Sequence, residues 1–216
     1  MNAVTHPYWI GATRDVSVID AEAQHAIRIG DTYTLSLIVQ NPATAADTLV
    51  MITHALWNLD DHHVMCGIAR HKNTPDCLLF DLLEYGANRY VIWTYMAYNT
   101  RSPLPVKVIE TLITKGTEQV KYDLGLACRT DIPQELLSRL ARDTSARVRR
   151  VALANDHISC DDLHRGAHDE DTDVRMVVAQ NMKTPLETLM FLVVDEDTDV
   201  RFFAERSITM NWSVTQ

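Results

Sequence analysis

A thiol and two imidazoles stand at helical spacing in the second half of the chain. Cys160, His164 and His168 follow one another at four-residue intervals, and His157 precedes them. Residues at i, i+4 and i+8 of a helix share one stripe, and thiolate and imidazole are groups that bind zinc. The alternative is a variable outer row, because three ligands along three turns diverge and a structural zinc takes a fourth ligand. From the sequence, metal binding by these four residues stays open.

Acidic and basic side chains recur six residues apart in a second pattern. The pairs are Asp143 and Arg149, Asp169 and Arg175, and Asp195 and Arg201, with Lys121 at the equivalent basic position before them. One hypothesis is a row of cations that binds an acidic peptide or a nucleic acid. The other is that acids and bases pair with each other and hold neighbouring repeats together. The equal numbers of acids and arginines favour the second hypothesis.

The stretch DEDTDVR, which occurs twice, places carboxylates at alternate positions, as a calcium loop does. An EF-hand loop requires glycine at its sixth position and glutamate at its twelfth. Those positions hold Val174 and Gln180 in one copy and Val200 and Arg206 in the other. The acids are therefore predicted to lie at helix N-termini, where unpaired amides and the helix dipole favour negative charge.

A row of mostly large side chains recurs at intervals of 26 to 29 residues and begins at Cys66. Its later members are the candidate partner-binding residues Trp93, Tyr122, Arg150, Met176 and Phe202. One hypothesis is that they line a concave face and anchor a bound protein, since aromatic side chains and arginine dominate binding hot spots. The alternative, which the sequence does not exclude, is packing between neighbouring helices.

All of these residues belong to an internal repeat. DEDTDVR occupies residues 169–175 and again 195–201, and a weaker copy, DTSARVR, occupies 143–149. A marker valine opens the second helix of each repeat, at Val64, Val91, Val120, Val148, Val174 and Val200. A polar marker ends each repeat, at Asn41, His71, Asn99, Arg129, Asn155 and Asn181. The residues four after each valine are predicted to join the valines in the core: Ile68, Tyr95, Leu124, Ala152, Val178 and Ala204.

Each repeat predicts two helices joined by a turn. The predicted N-caps of the first helices are Thr74, Ser102, Ser159 and Thr184, with Pro75, Pro103 and Pro185 at first helical positions. One helix pair buries too little apolar surface to fold alone, whereas stacked pairs form a continuous core. We therefore predict an all-α fold, an α-solenoid of about six helix-turn-helix repeats of 26–30 residues that spans residues 37–207. Residues 1–36 are predicted to be an N-terminal cap, helical around Asp20–Ile29, and 208–216 a C-terminal tail.

The repeat resembles the leucine-rich-repeat variant (LRV) family and, more loosely, HEAT-like repeats. The best copies are IPQELLSRLARDTSARVRRVALAN and TPLETLMFLVVDEDTDVRFFAE. The LRV resemblance implies alternating α and 3₁₀ helices in a right-handed superhelix, with first helices that are short or 3₁₀-like. Some LRV members carry an iron–sulphur cluster on a cysteine-rich N-terminal segment. This chain has no cysteine before Cys66, so we expect no cofactor.

Composition narrows the range of functions. The 216 residues carry a formal net charge of −9, which disfavours broad attraction to phosphate backbones or anionic lipid. No apolar run reaches the ~20 residues of a bilayer span, and the N-terminus lacks the pattern of a secretory signal. A cytoplasmic protein without membrane association is expected.

The predicted function is a non-enzymatic scaffold that binds a protein or peptide along the concave face of the solenoid. No GxSxG, GxxxxGK[ST] or HExxH motif is present. The alternative is a nucleic-acid-binding protein or a HEAT-like DNA glycosylase, in which Trp93, Asp123 and Arg150 are the candidate residues. The oligomeric state is left open by the sequence.

Overall fold

The computed structural model describes residues 10–214 except 60, 87, 88, 100, 102 and 128, with side chains up to residue 210. Every regular element in these ranges is an α-helix, which confirms the predicted all-α fold class. The helices are α1 (Val16–Ile29), α2 (Thr32–Ile38), α3 (Ala46–Leu56), α4 (His62–Arg70), α5 (Asp76–Leu83), α6 (Arg89–Ala97), α7 (Val106–Lys115), α8 (Glu118–Leu126), α9 (Gln134–Leu140), α10 (Ala146–Leu153), α11 (Cys160–Gly166), α12 (Thr172–Gln180), α13 (Leu186–Leu192) and α14 (Thr198–Val214).

Six helix pairs, from α3–α4 to α13–α14, follow α1 and α2. Second helices of successive repeats pack on each other, α2 on α4 and α4 on α6, then α8 on α10, α10 on α12 and α12 on α14. This stacking of like helices is that of a helical-repeat solenoid, as the sequence predicts. The first helices α9, α11 and α13 are short α-helices of seven residues each. The chain divides into two compact units, an N-terminal unit of residues 1–111 and a C-terminal unit of residues 112–216.

Short polar side chains start several helices. Asp61 accepts a hydrogen bond from the amide of Val64 at 3.3 Å, and Ser159 accepts one from the amide of Asp162 at 3.0 Å. Each bond satisfies one of the N–H groups that a helix leaves unpaired in its first turn. The cap predicted at Ser159 is confirmed.

The caps predicted at Thr74 and Thr184 are wrong. Both hydroxyls donate backward, to the carbonyls of Ile68 and Val178, at 2.6 Å. The extended residues that follow them, Pro75 and Pro185, occupy the N-cap positions instead. The threonines therefore bond to the C-terminal turn of the preceding helix rather than capping the N-terminus of the next one.

Two further boundary predictions have different outcomes. Pro103 does not begin a helix, because α7 starts only at Val106, and Ser102 lies outside the described residues. The helix expected around Asp20–Ile29 is α1. Helix α14 continues to Val214, and the division into 1–36, 37–207 and 208–216 remains a prediction.

Across the described residues, no helix combines the length and apolarity needed to span a bilayer.

The marker residues form the core with one correction in α6. Five of the marker valines are fully buried, but Val91 is 45% exposed and its neighbour Ile92 is fully buried. Tyr95, also predicted in the core, is 40% exposed, and Met96 is buried in its place. The buried positions of α6 are therefore shifted by one residue from the predicted ones. Apolar residues lie on all sides of this helix, so the spacing of its apolar residues does not indicate which side faces the core.

The asparagine and histidine markers are buried and form hydrogen bonds to the part of the chain about one period before them, whereas the Arg129 side chain pairs with Asp131 in its own turn. In the N-terminal unit, Asn99 Nδ2 donates to the carbonyls of Ala69 at 2.7 Å and His71 at 3.0 Å. In the C-terminal unit, Asn181 Nδ2 donates to the carbonyl of Leu153 at 2.7 Å. Asn41, His71 and Asn155 form equivalent bonds. A buried polar group is costly without a partner, so each link requires the neighbouring repeat to be in place.

Second helices approach each other closely at Gly125 of α8. A β-carbon at this position would lie 2.5 Å from Val151 Cγ2 and 3.1 Å from Val151 Cβ, on α10. Val151 is β-branched and largely buried, so its side chain has little freedom to move aside. The absence of a side chain at Gly125 sets the distance between these two helices.

Gly125→Ala is expected to destabilise the protein by about 1–3 kcal/mol through overpacking. This exceeds the gain of up to about 1 kcal/mol that alanine brings to a helix. Urea unfolding followed by circular dichroism measures the difference. Val151→Ala opens the same space, so the two substitutions together should cost less than their sum. An increase in stability for Gly125→Ala alone would contradict the close approach.

Candidate binding surfaces

In the C-terminal unit, the charged pairs form a ladder in which each basic residue binds an acid of the following repeat. The pairs are Lys121 with Asp143, Arg149 with Asp169 and Arg175 with Asp195. Arg149 donates from Nε and a terminal nitrogen to the two oxygens of Asp169, each at 2.7 Å. Both side chains are nearly buried, at 11% and 12% exposure. The structure therefore supports the hypothesis that these charges hold repeats together, rather than the hypothesis of an open basic row.

The ladder arginines also bind the backbone of their own repeat. A terminal nitrogen of Arg149 donates to the carbonyls of Asp143 and Thr144, both at 3.1 Å. Arg175 repeats this arrangement with Asp169 and Glu170, at 2.9 and 3.3 Å. One guanidinium thus joins the turn of its own repeat to the carboxylate of the next.

Ionisation of the ladder acids is favoured in the folded chain. Burial alone raises the pKa of Asp169, but hydrogen bonds from Arg149 and from the Asp171 amide outweigh it, so the pKa is lowered. Asp195 has a lowered pKa for the same balance of burial against bonds from Arg175 and the Asp197 amide. These carboxylates stay charged and paired at neutral pH.

The acids of the DEDTDVR turns serve helix N-termini, as predicted. Asp171 Oδ1 accepts from the amide of Val174 at 3.1 Å. Asp197 Oδ1 accepts from the amides of Asp199 at 2.8 Å and Val200 at 3.1 Å. Each carboxylate lies where the unpaired amides of a helix favour negative charge.

The stripe of Cys160, His164 and His168 faces the next repeat. His164 Nδ1 lies 3.1 Å from Thr188 Oγ1, and His168 stacks on Phe191 with ring centroids 4.2 Å apart. Cys160 Sγ donates to the Lys183 carbonyl at 4.0 Å. Together with His157, they form no group of three or more ligands that could hold a metal, and the other described residues form none either.

The predicted partner-binding row divides between the two units. Trp93 lies in the N-terminal unit and is 2% exposed, with its ring edge against Tyr90 and its Nε1 buried without a hydrogen-bond partner among the described residues. If Ile92 is taken as the equivalent of the marker valines, Trp93 is at the same repeat position as Lys121 and Arg149, each of which follows its marker valine directly. The one-residue rotation of α6 accounts for this burial, which for Trp93 favours the alternative of packing between neighbouring helices.

The other four members lie on successive second helices of the C-terminal unit. Tyr122 lies under the guanidinium of Arg147, 3.6 Å from ring centroid to Cζ. Arg150 pairs with Asp173 at 3.1 Å. Met176 is half-buried, and Phe202 is 54% exposed. Partner binding by this row stays a prediction, with Phe202 as its most accessible member.

A groove of about 670 Å³ lies in the N-terminal unit, along the second helices α2, α4 and α6. It is lined by Gln40 after α2, His63 and Arg70 on α4, Lys72 in the turn that follows, and Tyr95 on α6. Its volume falls in the range of ligand-binding clefts. Tyr95 presents an exposed aromatic ring in this groove, whereas Trp93, the aromatic residue of the predicted partner-binding row on the same helix, is buried.

Two permanent cations, Arg70 and Lys72, line this groove without an acid beside them. Neither forms an ion pair with a carboxylate of the described residues, and the described lining residues include no Asp or Glu. In the ladder, by contrast, every basic residue from Lys121 to Arg175 is neutralised by an acid. Unneutralised cations in a cleft focus positive potential, here in a chain whose net charge is −9.

Two other lining residues are neutral. Burial lowers the pKa of His71, and its Nδ1 accepts from the Asn73 amide at 3.0 Å. Its Nε2 therefore carries the proton and donates to the Asn41 carbonyl at 2.9 Å. Burial raises the pKa of Cys66 to about 11, so the thiol is protonated at neutral pH. The thiolate nucleophile of cysteine chemistry is therefore not formed at Cys66 at neutral pH.

Asp169→Asn is expected to cost about 2 kcal/mol at pH 7, because it removes a charge-assisted bond pair from the nearly buried Arg149. The folded pKa lies below the unfolded one, so this stabilisation is complete above about pH 4 and is lost as pH falls through the folded pKa. Urea unfolding at several pH values measures it. The exposed neighbour Glu170→Gln is the control and should change stability by less than about 0.5 kcal/mol. A cost for Asp169→Asn that stays constant down to strongly acid pH would contradict this role.

The chain was compared with protein-family models, curated proteins and solved structures. No family model matches the chain, and no curated protein matches it. Among solved structures, the chain is similar to one described as a leucine-rich repeat variant with a novel repetitive protein structural motif. The two share 18% sequence identity with a TM-score of 0.45, over 95% of this chain and 88% of that chain. The HEAT-like resemblance remains a prediction from the sequence.

Proposed function

We propose that this chain is a repeat scaffold that binds a partner protein, and that the groove of the N-terminal unit holds an acidic segment of that partner. The observation that carries the proposal is the pair of unneutralised cations, Arg70 and Lys72, in a groove along three successive second helices. Carboxylates of a bound segment would supply the counter-charge that acids of the ladder supply to their own basic residues. Bonds between such charged groups are among the strongest hydrogen bonds in proteins.

Tyr95 gives the groove an apolar anchor beside its charges. The side chain is 40% exposed, and tyrosine combines a large contact area with a polar end and little rotamer entropy to lose. Gln40 adds an amide group that can bond a peptide backbone. A segment with an aromatic or aliphatic residue near two acids matches these three features.

Nucleic-acid binding is less well supported than peptide binding. Affinity for a phosphate backbone comes from many neutralised phosphates, and each adds about 0.9 to the salt slope. The described lining residues of the groove include only two permanent cations, Arg70 and Lys72, and the chain has a net charge of −9.

The residues considered for a glycosylase are already engaged within their own units. Asp123 accepts two bonds of 2.9 Å from Gln119, Arg150 is paired with Asp173, and Trp93 is buried. These contacts favour structural roles for Asp123 and Trp93, and the charge of Arg150 is already paired with an acid. We propose a non-enzymatic scaffold, with Tyr122, Arg150, Met176 and Phe202 as further partner contacts in the C-terminal unit and a cytoplasmic location.

The test uses a fluorescein-labelled peptide of alternating Glu and Leu, with a Lys and Leu peptide and an oligothymidine of equal length as competing probes. Fluorescence anisotropy at low ionic strength should show binding of the acidic peptide alone. The double variant Arg70→Glu with Lys72→Glu should weaken it at least tenfold, about 1.4 kcal/mol, because both counter-charges are reversed.

The matched control is Lys115→Glu with Arg139→Glu, which makes the same change of charge at two exposed cations outside the groove. It should bind the acidic peptide within about twofold of the parent protein. Equal binding by the groove variant and the control would refute the site. Tighter binding of the oligothymidine, with a steep loss on adding salt, would favour the nucleic-acid alternative.

A further inference from the structure

The two cations of the N-terminal groove lie close together along the chain. Arg70 is the last residue of α4 and Lys72 follows in the turn, so their Cα atoms are at most about 7 Å apart. In the ladder, successive basic residues are a whole repeat apart, as Arg149 and Arg175 are. The residues directly beside the other five polar markers include no Lys or Arg, so this pair is specific to the repeat that ends at His71.

The charge of this pair is not compensated by the described residues. Neither Arg70 nor Lys72 forms an ion pair with a carboxylate there. Burial is the main cause of the lowered pKa of His71, which lies between them in the sequence, and the positive charge of Lys72 lowers it further. The groove wall therefore presents two positive charges in one place.

One dianionic group matches two adjacent cations better than two carboxylates do. Two carboxylates held close enough to bind both cations also repel each other. A phosphate monoester instead carries a charge of about −1.5 to −2 at pH 7 and three acceptor oxygens in a single group. The planar guanidinium of Arg70 suits two of these oxygens side by side, and the ammonium of Lys72 acts as a compact point charge.

The neighbouring lining residues offer hydrogen-bond donors. Gln40 Nε2 donates to the Ser36 carbonyl at 2.9 Å, and an amide group has a second N–H with which to bind a ligand oxygen. His63 lies seven residues before Arg70 on the same face of α4, and its ring has at least one N–H donor. The described lining residues include no Asp or Glu, so no carboxylate among them repels a phosphate.

We propose that the segment bound in the N-terminal groove carries a phosphorylated serine or threonine, and that Arg70 and Lys72 bind its phosphate. This inference rests on the proposed function and narrows the bound acid to a phosphate monoester. Both cations are exposed, so the short side chain of phosphoserine or phosphothreonine is long enough to reach them. Clustered basic residues are a recurring means of recognising phosphorylated segments.

Four fluorescein-labelled peptides that differ only in their two central residues test the assignment. The central pairs are phosphoserine-alanine, serine-alanine, glutamate-alanine and glutamate-glutamate, and the last carries the charge of the phosphate on two residues. Fluorescence anisotropy at low ionic strength should show the phosphoserine peptide binding at least about fivefold tighter than the two-glutamate peptide. Inorganic phosphate should compete at least about tenfold more weakly than the unlabelled phosphoserine peptide, because it lacks the other contacts of the segment.

Lys72→Gln should weaken binding of the phosphoserine peptide at least about fivefold, because one of the two counter-charges is lost. Lys115→Gln is the matched control, since it removes one exposed charge outside the groove. It should bind all four peptides like the parent chain. Both lysines are exposed, so the circular dichroism spectra of the two variants should match that of the parent.

Equal affinity for the phosphoserine and two-glutamate peptides would overturn this inference, as would equal binding by Lys72→Gln and Lys115→Gln. Competition by inorganic phosphate as strong as that by the phosphopeptide would overturn it too, because the ligand would then be the free ion. The proposed function survives these outcomes where the acidic peptides bind the parent and the variant Arg70→Glu with Lys72→Glu loses them. If none of the acidic peptides binds the groove, the proposed function and this inference both fail.

Discussion

The structure depends on the requirement that a buried polar group finds a hydrogen-bond partner. Most repeats end in a buried asparagine or histidine, such as Asn99 or Asn181, that forms hydrogen bonds to carbonyls of the repeat before it. Helices of seven to nine residues are marginal in isolation, so neither the helix nor its terminal side chain is stable alone. Apolar packing supplies most of the attraction, and these bonds fix which groups meet and in what order.

Charge is used differently in the two units. In the C-terminal unit, Arg149 and Arg175 are neutralised within the stack and contribute to its cohesion. In the N-terminal unit, the corresponding positions are apolar and buried, at Met65 and Trp93. Arg70 and Lys72 lie instead outside the packed contact, on the wall of the groove, and form no ion pair among the described residues. One repeat framework therefore carries paired charges in one unit and unpaired cations in the other.

The helical-repeat architecture can be predicted from the sequence because the repeat length can be read directly from two identical stretches. Two copies of DEDTDVR set the frame in the C-terminal repeats, and the ladder and marker valines followed from it. In α6 the stretch YVIWTYMAY is apolar on all sides, so its sequence does not show that Ile92 rather than Val91 faces the core, or that Trp93 is buried while Tyr95 is exposed. The sequence does not predict the groove, because what distinguishes it is the lack of carboxylates among its described lining residues, and a missing partner leaves no pattern in a sequence.

The links between repeats also have a consequence for how such a chain can change in length. In the C-terminal unit, the charge-ladder pairs and the bonds of the terminal asparagines each join a repeat to its immediate neighbour, as Arg175 to Asp195 and Asn181 to Leu153 do. Duplication or loss of a 26-residue block would recreate the same pairs at the new junction. A change in the number of repeats would therefore leave no junction without its polar partners.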